Sequence, residues 1–132
     1  MNIVDGTDRQ VWDGYVSGLN EANFLQSWDF YEFHRARGKK IVRRLVYDGS
    51  EIVGAYAGVV ETARRGRYMA IAGGPLIDYS NKKLVSLVFS DIREQGKALG
   101  CVFVRVRPQE VLSDNILQVL SNQGLKKAPM YL

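Results

Sequence analysis

Residues 23–44 read NFLQSWDFYEFHRARGKKIVRR, and within them the spacing of apolar residues changes from helical to extended. Trp28 and Tyr31 lie three residues apart, which predicts a helix over Ser27–Arg37. Gly38 suits the left-handed position that follows a helix end. Alternation over Ile41–Tyr47 then predicts a strand. The stretch therefore joins an aromatic helix to the first predicted strand of a sheet.

The same stretch carries a basic cluster, which consists of Arg35, Arg37, Lys39, Lys40, Arg43 and Arg44. Guanidinium groups match phosphate oxygens and lysines act as point charges, so one interpretation is an anion-binding surface. The other interpretation is a solvated helix end, where cations favour the negative end of the helix dipole. Because side chains alternate along a strand, Arg43 and Arg44 face opposite ways, and at most one of them serves a given site.

Helical and strand patterns continue along the rest of the chain. Asp48-Gly49 predicts a hairpin turn. The further predicted helices are Asp8–Leu19, Lys82–Leu99 and Asp114–Gln123, and the further predicted strands are Ile52–Glu61, Tyr68–Ala72, Cys101–Val106 and Leu125–Leu132. Hairpin-joined strands followed by a βαβ crossover predict an α+β fold, a mixed sheet flanked by helices on both sides.

The composition is that of an ordinary globular chain. Its 132 residues, 46% of them hydrophobic and 24% charged, predict one domain over residues 1–132. Cys101 is the only cysteine, so neither a disulfide nor a metal site is predicted. The sequence has no secretion signal and no apolar run of about 18 residues, which points to the cytoplasm. A net charge of +4 favours anionic partners without choosing among phosphates, nucleic acid and a membrane face.

Several short motifs extend from Phe24 to the end of the chain. They include Phe24-Leu25-Gln26-Ser27-Trp28, Tyr47-Asp48-Gly49, Gly74-Pro75-Leu76-Ile77-Asp78 and Phe103-Val104-Arg105-Val106. Together they resemble the first half of the Fem-type (FemABX) peptidoglycan aminoacyltransferases, which are built from two GNAT-like subdomains (the N-acetyltransferase fold). The resemblance implies a GNAT-like fold for residues 1–132 and a role in holding the cell-wall precursor.

The resemblance also implies an activity and its partners. Fem-type enzymes transfer amino acids from aminoacyl-tRNA to the peptide stem of a nucleotide-linked or lipid-linked muramyl peptide, and the resemblance implies no cofactor. It implies a second GNAT-like half or self-association, and a location in the cytoplasm, with peripheral contact at the inner face of the membrane left open. Whether this chain alone is an enzyme stays open. Two departures concern the anion site, because the family commonly has a lysine at the position of His34 and a basic residue at that of Gly73.

Site residues follow from residue chemistry combined with the resemblance. Asp78 is the predicted catalytic residue, as an acceptor of a proton or hydrogen bond. On sequence alone the better account of Asp78 is a turn that leads into a helix, and the resemblance makes Asp78 the leading polar candidate. For Arg105, the alternative to ligand contact is a salt bridge to Glu110 or Asp114. The predicted substrate-binding residues are Trp28, His34, Arg35, Lys39, Tyr68, Gly74 and Arg105. Among them, paired glycines suit close approach of a ligand to the backbone at Gly74.

Two other functions stay open. The first is a GNAT-like binding module without turnover, which recognises a phosphorylated or nucleic-acid ligand. The second is a small acyl-CoA-dependent N-acetyltransferase. Such enzymes carry a basic-x-x-Gly-x-Gly loop whose N–H groups cradle a pyrophosphate. The loop at Ala72-Gly73-Gly74-Pro75 does not reproduce it, and Pro75 lacks a donor.

Overall fold

A computed structural model describes residues 1–19, 24–108 and 114–126. Its helices are α1 (Arg9–Ser17), α2 (Trp28–Ala36), α3 (Lys82–Ala98) and α4 (Asp114–Asn122), and a short 3-10 turn, Phe24–Gln26, precedes α2. Its strands are β1 (Asn2–Asp5), β2 (Ile41–Asp48), β3 (Glu51–Ala63), β4 (Gly66–Ala72) and β5 (Phe103–Arg107). The strands form a sheet in the order β1-β2-β3-β4-β5.

Turn chemistry and connection length explain this topology. β1 to β4 are antiparallel, and Gly49 adopts a φ of 63° in the tight turn between β2 and β3. β4 and β5 are parallel, and α3 provides the long connection that parallel neighbours need. Gly38, with a φ of 84°, follows the end of α2 as the sequence predicts. The predicted α+β fold with a mixed sheet is confirmed.

The two faces of the sheet bury different cores. α3 and α4 pack on one face around Val46 and Met69, whereas α1 and α2 pack on the other around Trp12 and Leu45. Leu45 and Val46 are consecutive in β2, so their opposite burial shows the two-residue period of the strand. Helices on both sides of the sheet were also predicted, and this is confirmed.

A buried ion pair joins α3 to the middle of the sheet. Arg44 of β2 donates two hydrogen bonds to Asp91 of α3, at 3.0 and 2.9 Å. Tyr56 of β3 donates to the same carboxylate at 2.7 Å, and Arg44 also reaches Asp5 of β1 at 2.8 Å. Asp91 is only 7% exposed, so its charge depends on these partners rather than on water.

Two elements differ from the sequence-based expectation. β1 was not predicted, because it is a short edge strand in which only Ile3 is partly buried, and such a strand has no readable alternation. The predicted strand Leu125–Leu132 falls mostly outside the described residues. Leu125 and Lys126 are described, and neither lies in a strand.

Candidate ligand-binding face

Three side chains form a partly exposed platform on the face of the sheet that also carries α1 and α2. Tyr68 of β4 is paired in register with Phe103 of β5, and their rings stack with centroids 4.9 Å apart and planes 4° apart. The guanidinium of Arg105 lies 5.3 Å from the Tyr68 ring centroid and 6.0 Å from that of Phe103. We call Tyr68, Phe103 and Arg105 the β4–β5 platform. It combines aromatic surface with a cation held by that surface.

The platform has this orientation because of strand alternation. Tyr68 and Ala70 point to the α1/α2 side, and Ala70 packs against the core beneath those helices. Met69, between them, is fully buried in the core under α3. Arg105 is paired with Ala70 and therefore projects to the α1/α2 side as well. For Arg105 the predicted alternative was a salt bridge; none to Asp114 occurs among the described residues, and Glu110 lies outside them.

His34 and Lys39 border the platform across β3. The Nζ of Lys39 lies 2.6 Å from Oε1 of Glu61, and Glu61 is the β3 partner of Tyr68. His34 packs edge-on against Phe30, with ring centroids 4.8 Å apart. Burial, and then the positive charge of Lys39, lower the pKa of His34. His34 is therefore a neutral imidazole near pH 7.

The hydrogen bonding of His34 also favours the neutral imidazole. Its Nδ1 is enclosed and has no hydrogen-bond partner among the described residues. A proton on Nδ1 would be a buried donor without an acceptor, which is costly. The favoured tautomer therefore carries its proton on Nε2, which makes Nε2 a hydrogen-bond donor. His34 can donate to an anion but does not bring a positive charge to it.

Trp28 and Arg35 belong to a different group of side chains. The guanidinium of Arg43 stacks over the Trp28 ring at 3.5 Å and donates to Glu32 at 2.7 Å. Arg35 approaches the same Glu32 at 3.4 Å and is 58% exposed at its side chain. Residues 28, 32 and 35 lie on one stripe of α2, and helical geometry directs His34 to another. The structure therefore separates Trp28 and Arg35 from His34, Lys39 and the platform.

Gly74 lies against a buried glutamine. The Gln26 side chain is fully buried; its Nε2 donates to the carbonyl of Ala72 at 2.7 Å, and its Oε1 accepts from the N–H of Ala57 at 2.9 Å. The β3–β4 pairing ends at Val59 and Ala70, and beyond that point the Gln26 amide hydrogen-bonds the backbone groups of Ala57 and Ala72. A Cβ on Gly74 would come within 2.9 Å of Gln26 Cδ and Oε1. Sequence reasoning assigned Gln26 no role, because a single polar residue between apolar neighbours does not reveal where its amide points.

Asp78 is exposed, and its carboxylate is held within its own turn. Oδ1 accepts from the Ser80 hydroxyl at 2.6 Å and from the Ser80 N–H at 3.0 Å. These two hydrogen bonds lower the pKa of Asp78, the side-chain bond most. A carboxylate with a lowered pKa is a weaker proton acceptor. The arrangement favours hydrogen-bond acceptance over general-base chemistry, and the catalytic role stays a prediction.

The loop after β4 has little capacity to cradle a pyrophosphate. The N–H of Gly73 donates to the carbonyl of Arg107 at 2.8 Å, and the N–H of Leu76 donates to that of Ala55 at 2.8 Å. Pro75 between them has no N–H. Three positions of this loop are thereby unable to donate to a ligand, which disfavours the acyl-CoA interpretation. Among the described residues, no cluster of three His, Cys, Asp or Glu side chains could hold a metal ion.

Comparison with known proteins places the chain in a family. The sequence model of the FemAB family matches residues 7–127. The chain belongs to the FemAB family. The aminoacyltransferase FemA of Staphylococcus epidermidis is 28% identical to it over 110 residues, which are 82% of this chain and 26% of FemA. The chain thus spans about a quarter of the length of its curated relatives, and the predicted resemblance is confirmed.

Solved structures confirm the fold. FemX superposes with a TM-score of 0.83 at 21% identity, over 94% of this chain and 32% of FemX. The glucosamine-6-phosphate N-acetyltransferase of Arabidopsis thaliana matches with a TM-score of 0.69 at 15% identity, over 99% of this chain and 95% of that one. The GNAT-like character predicted for the fold is therefore shown.

In this FemAB chain, the structure brings together one part of the predicted site. His34, Lys39, Tyr68 and Arg105 share the α1/α2 side of the sheet, next to the platform ring of Phe103. Within the described residues, no helix is long and apolar enough to cross a bilayer.

Proposed function

We propose that this chain forms the precursor-binding half of a peptidoglycan aminoacyltransferase. On this proposal, residues 1–132 are a single GNAT-like domain. Its ligand is a nucleotide-linked or lipid-linked muramyl peptide, presented in the cytoplasm or at the inner face of the membrane. Membership of the FemAB family and the similarity to the aminoacyltransferase FemA support the reaction class. The observation that carries the binding role is the β4–β5 platform, with Arg105 over two stacked rings and no ion pair to it among the described residues.

The platform chemistry fits the diphosphate of such a precursor. An arginine fork binds two phosphate oxygens at once, and the rings beneath Arg105 restrict where the fork points. Lys39 is paired with Glu61, so it would have to exchange that partner for a phosphate. Neutral His34 would contribute a hydrogen bond from Nε2. Because the departure from lysine at His34 removes one cation, Arg105 carries most of the proposed anion contact.

In the proposed reaction, the amine of the stem residue attacks the aminoacyl ester of the tRNA. A C–N amide bond forms, the ester C–O bond breaks, the tRNA hydroxyl leaves with a proton, and the amine loses one. Positioning of the amine supplies much of the acceleration in such a step. Asp78, as a hydrogen-bond acceptor, would orient the peptide stem. The FemA relatives extend well beyond the matched stretch. The role proposed for this chain is therefore precursor binding.

Thermal unfolding with and without a soluble uridine-diphosphate muramyl pentapeptide tests the proposal. At about 100 times the dissociation constant, binding adds about 2.7 kcal/mol to stability and raises the unfolding midpoint. Arg105→Ala should abolish that rise, whereas Arg64→Ala, which removes an exposed arginine at the β3–β4 turn, should leave it intact. A rise with acetyl-CoA alone would restore the acetyltransferase interpretation, and no rise with the muramyl peptide would refute the proposed half-site.

A further inference from the structure

Unpaired positive charge is concentrated at one end of the sheet. This end comprises the C-termini of α2 and α3, the β3–β4 turn and the start of β5. Its exposed cations are Arg37, Lys40, Arg64, Arg65, Arg67 and Lys97, and none of them forms an ion pair within the described parts of the chain. The acidic residues here are Glu61, which already pairs with Lys39, and Glu94, one turn before Lys97. We call these six cations the basic end.

Direct contacts hold these segments together. The carbonyl of Lys40 accepts from the N–H of Val60, which ties the start of β2 to the end of β3. Arg67 donates from its guanidinium to the carbonyl of Leu99 at 3.1 Å, and its own carbonyl accepts from Val102 at 2.7 Å. From β2 to β5 the end spans three inter-strand steps of about 4.8 Å each, roughly 14 Å in all. The six cations thus belong to one continuous surface.

Two apolar side chains protrude from this surface. Val102 is 66% exposed and Phe33 is 55% exposed, and they are the most exposed large apolar residues that the structure describes. Val102 contacts the turn beside Arg65, since a Cβ on Gly66 would lie 3.1 Å from it. The guanidinium of Arg37 lies 5.5 Å from the centroid of the Phe33 ring. Each exposed apolar tip therefore lies beside cations, which is the combination that interfacial membrane-binding segments present to lipid headgroups.

The geometry points to this basic end as a docking surface for an anionic lipid bilayer, with Phe33 and Val102 entering the headgroup region. Lipid phosphates would pair with the cations, and each Lys or Arg near such a surface contributes about 1 kcal/mol, or about fivefold in partition. Arg37 could move from the Phe33 ring to a phosphate as the ring inserts, while its aliphatic stem stays in contact. RNA is the less favoured partner, because single strands are held by stacking on successive aromatic rings, and Phe33 is the one ring of the two protruding side chains.

Co-sedimentation with vesicles tests this inference. The probe is vesicles of phosphatidylglycerol and phosphatidylcholine in equal parts, with phosphatidylcholine vesicles alongside, at about 0.15 M salt. The chain should bind only the anionic vesicles, and Arg64→Ser with Arg65→Ser should lower the partition roughly thirtyfold. Phe33→Ser with Val102→Ser should lower it several-fold. These side chains are exposed, so the variants should melt as the wild type does.

Matched controls distinguish binding through the basic end from attraction by the overall positive charge of the chain. Lys82→Ser with Lys83→Ser removes two exposed cations at the other end of α3, about 24 Å away by helix rise, and should leave vesicle binding unchanged. Arg105→Ala should also leave it unchanged, so this test does not depend on the proposed precursor site. The inference is overturned if the lysine pair matters as much as the arginine pair, if neutral vesicles bind equally, or if the apolar pair has no effect. Binding of poly(U) RNA without binding of anionic vesicles would overturn it in favour of RNA.

Discussion

The sharpest test of the fold around the candidate site is the replacement of Gln26 by methionine. Methionine has a similar length and fills the same space, but it cannot pair the Ala57 N–H or the Ala72 carbonyl. A buried group left without its hydrogen bond costs about 1–3 kcal/mol. Ala57 is fully buried and Ala72 is partly exposed, so we expect a loss of about 3 kcal/mol in the free energy of unfolding. That loss corresponds to a drop of roughly 12 °C in midpoint for a domain of this size.

Urea unfolding followed by tryptophan fluorescence measures this loss, since the indole N–H of Trp12 donates to the Gln26 carbonyl at 2.8 Å. The m-value should stay constant, because the surface exposed on unfolding changes little. A double-mutant cycle then isolates the contact with Gly74. Gly74→Ala should cost about 1–3 kcal/mol in the wild type, where the new methyl meets Gln26, and much less beside Gln26→Ala. A Gln26→Met variant within about 0.5 kcal/mol of the wild type, or equal costs of Gly74→Ala in both backgrounds, would refute the reasoning.

Two further changes probe the charges inside the fold. Arg44→Met leaves the buried Asp91 carboxylate without its cationic partner and should cost about 3–5 kcal/mol in urea unfolding. Adding Asp91→Leu should recover much of that loss, and an undiminished cost in the double variant would contradict the buried-charge account. The pKa of His34 is lowered in the folded chain, so the unfolded chain binds the proton first as pH falls through 6.5, and stability should decrease there. His34→Gln should flatten that pH dependence, and an unchanged slope would show that another group titrates.

Much of the fold could be predicted from local patterns, because the elements that carry it are strongly periodic. The β2–β3 hairpin follows from alternation around Asp48-Gly49, and the long α3 follows from its apolar stripe, whose buried members include Leu84 and Val88. The asparagine at the start of α3, Asn81, accepts from the N–H of Leu84 as a capping residue should. β1 was not predicted because it is stabilised by its pairing with β2, and four residues carry too little pattern to reveal that pairing.

The candidate site was less predictable, because the sequence does not show which carboxylate, ring or ligand a basic side chain contacts in the fold. Arg43 and Arg44 were expected to face opposite ways, and they do: Arg43 reaches Glu32 on the α2 side, and Arg44 reaches Asp91 on the α3 side. Neither partner is near in sequence, so only the fold reveals that both guanidinium groups are already used. Arg105 presented the same ambiguity, and the structure places it over aromatic rings.

The net charge of +4 therefore describes this molecule poorly, since nine of its 18 lysines and arginines fall into three groups with different surroundings. Arg43 pairs with Glu32 and Arg44 pairs with Asp91, so replacing either arginine should lower the free energy of unfolding. Arg105 lies over the rings of Tyr68 and Phe103 and has no ion pair among the described residues, so its loss should appear in precursor binding. The six cations of the basic end have no carboxylate partner among the described residues, although Arg37 lies over the Phe33 ring, and lipid phosphates would supply the missing anions. Stability, precursor binding and vesicle binding should consequently respond to three different sets of arginines.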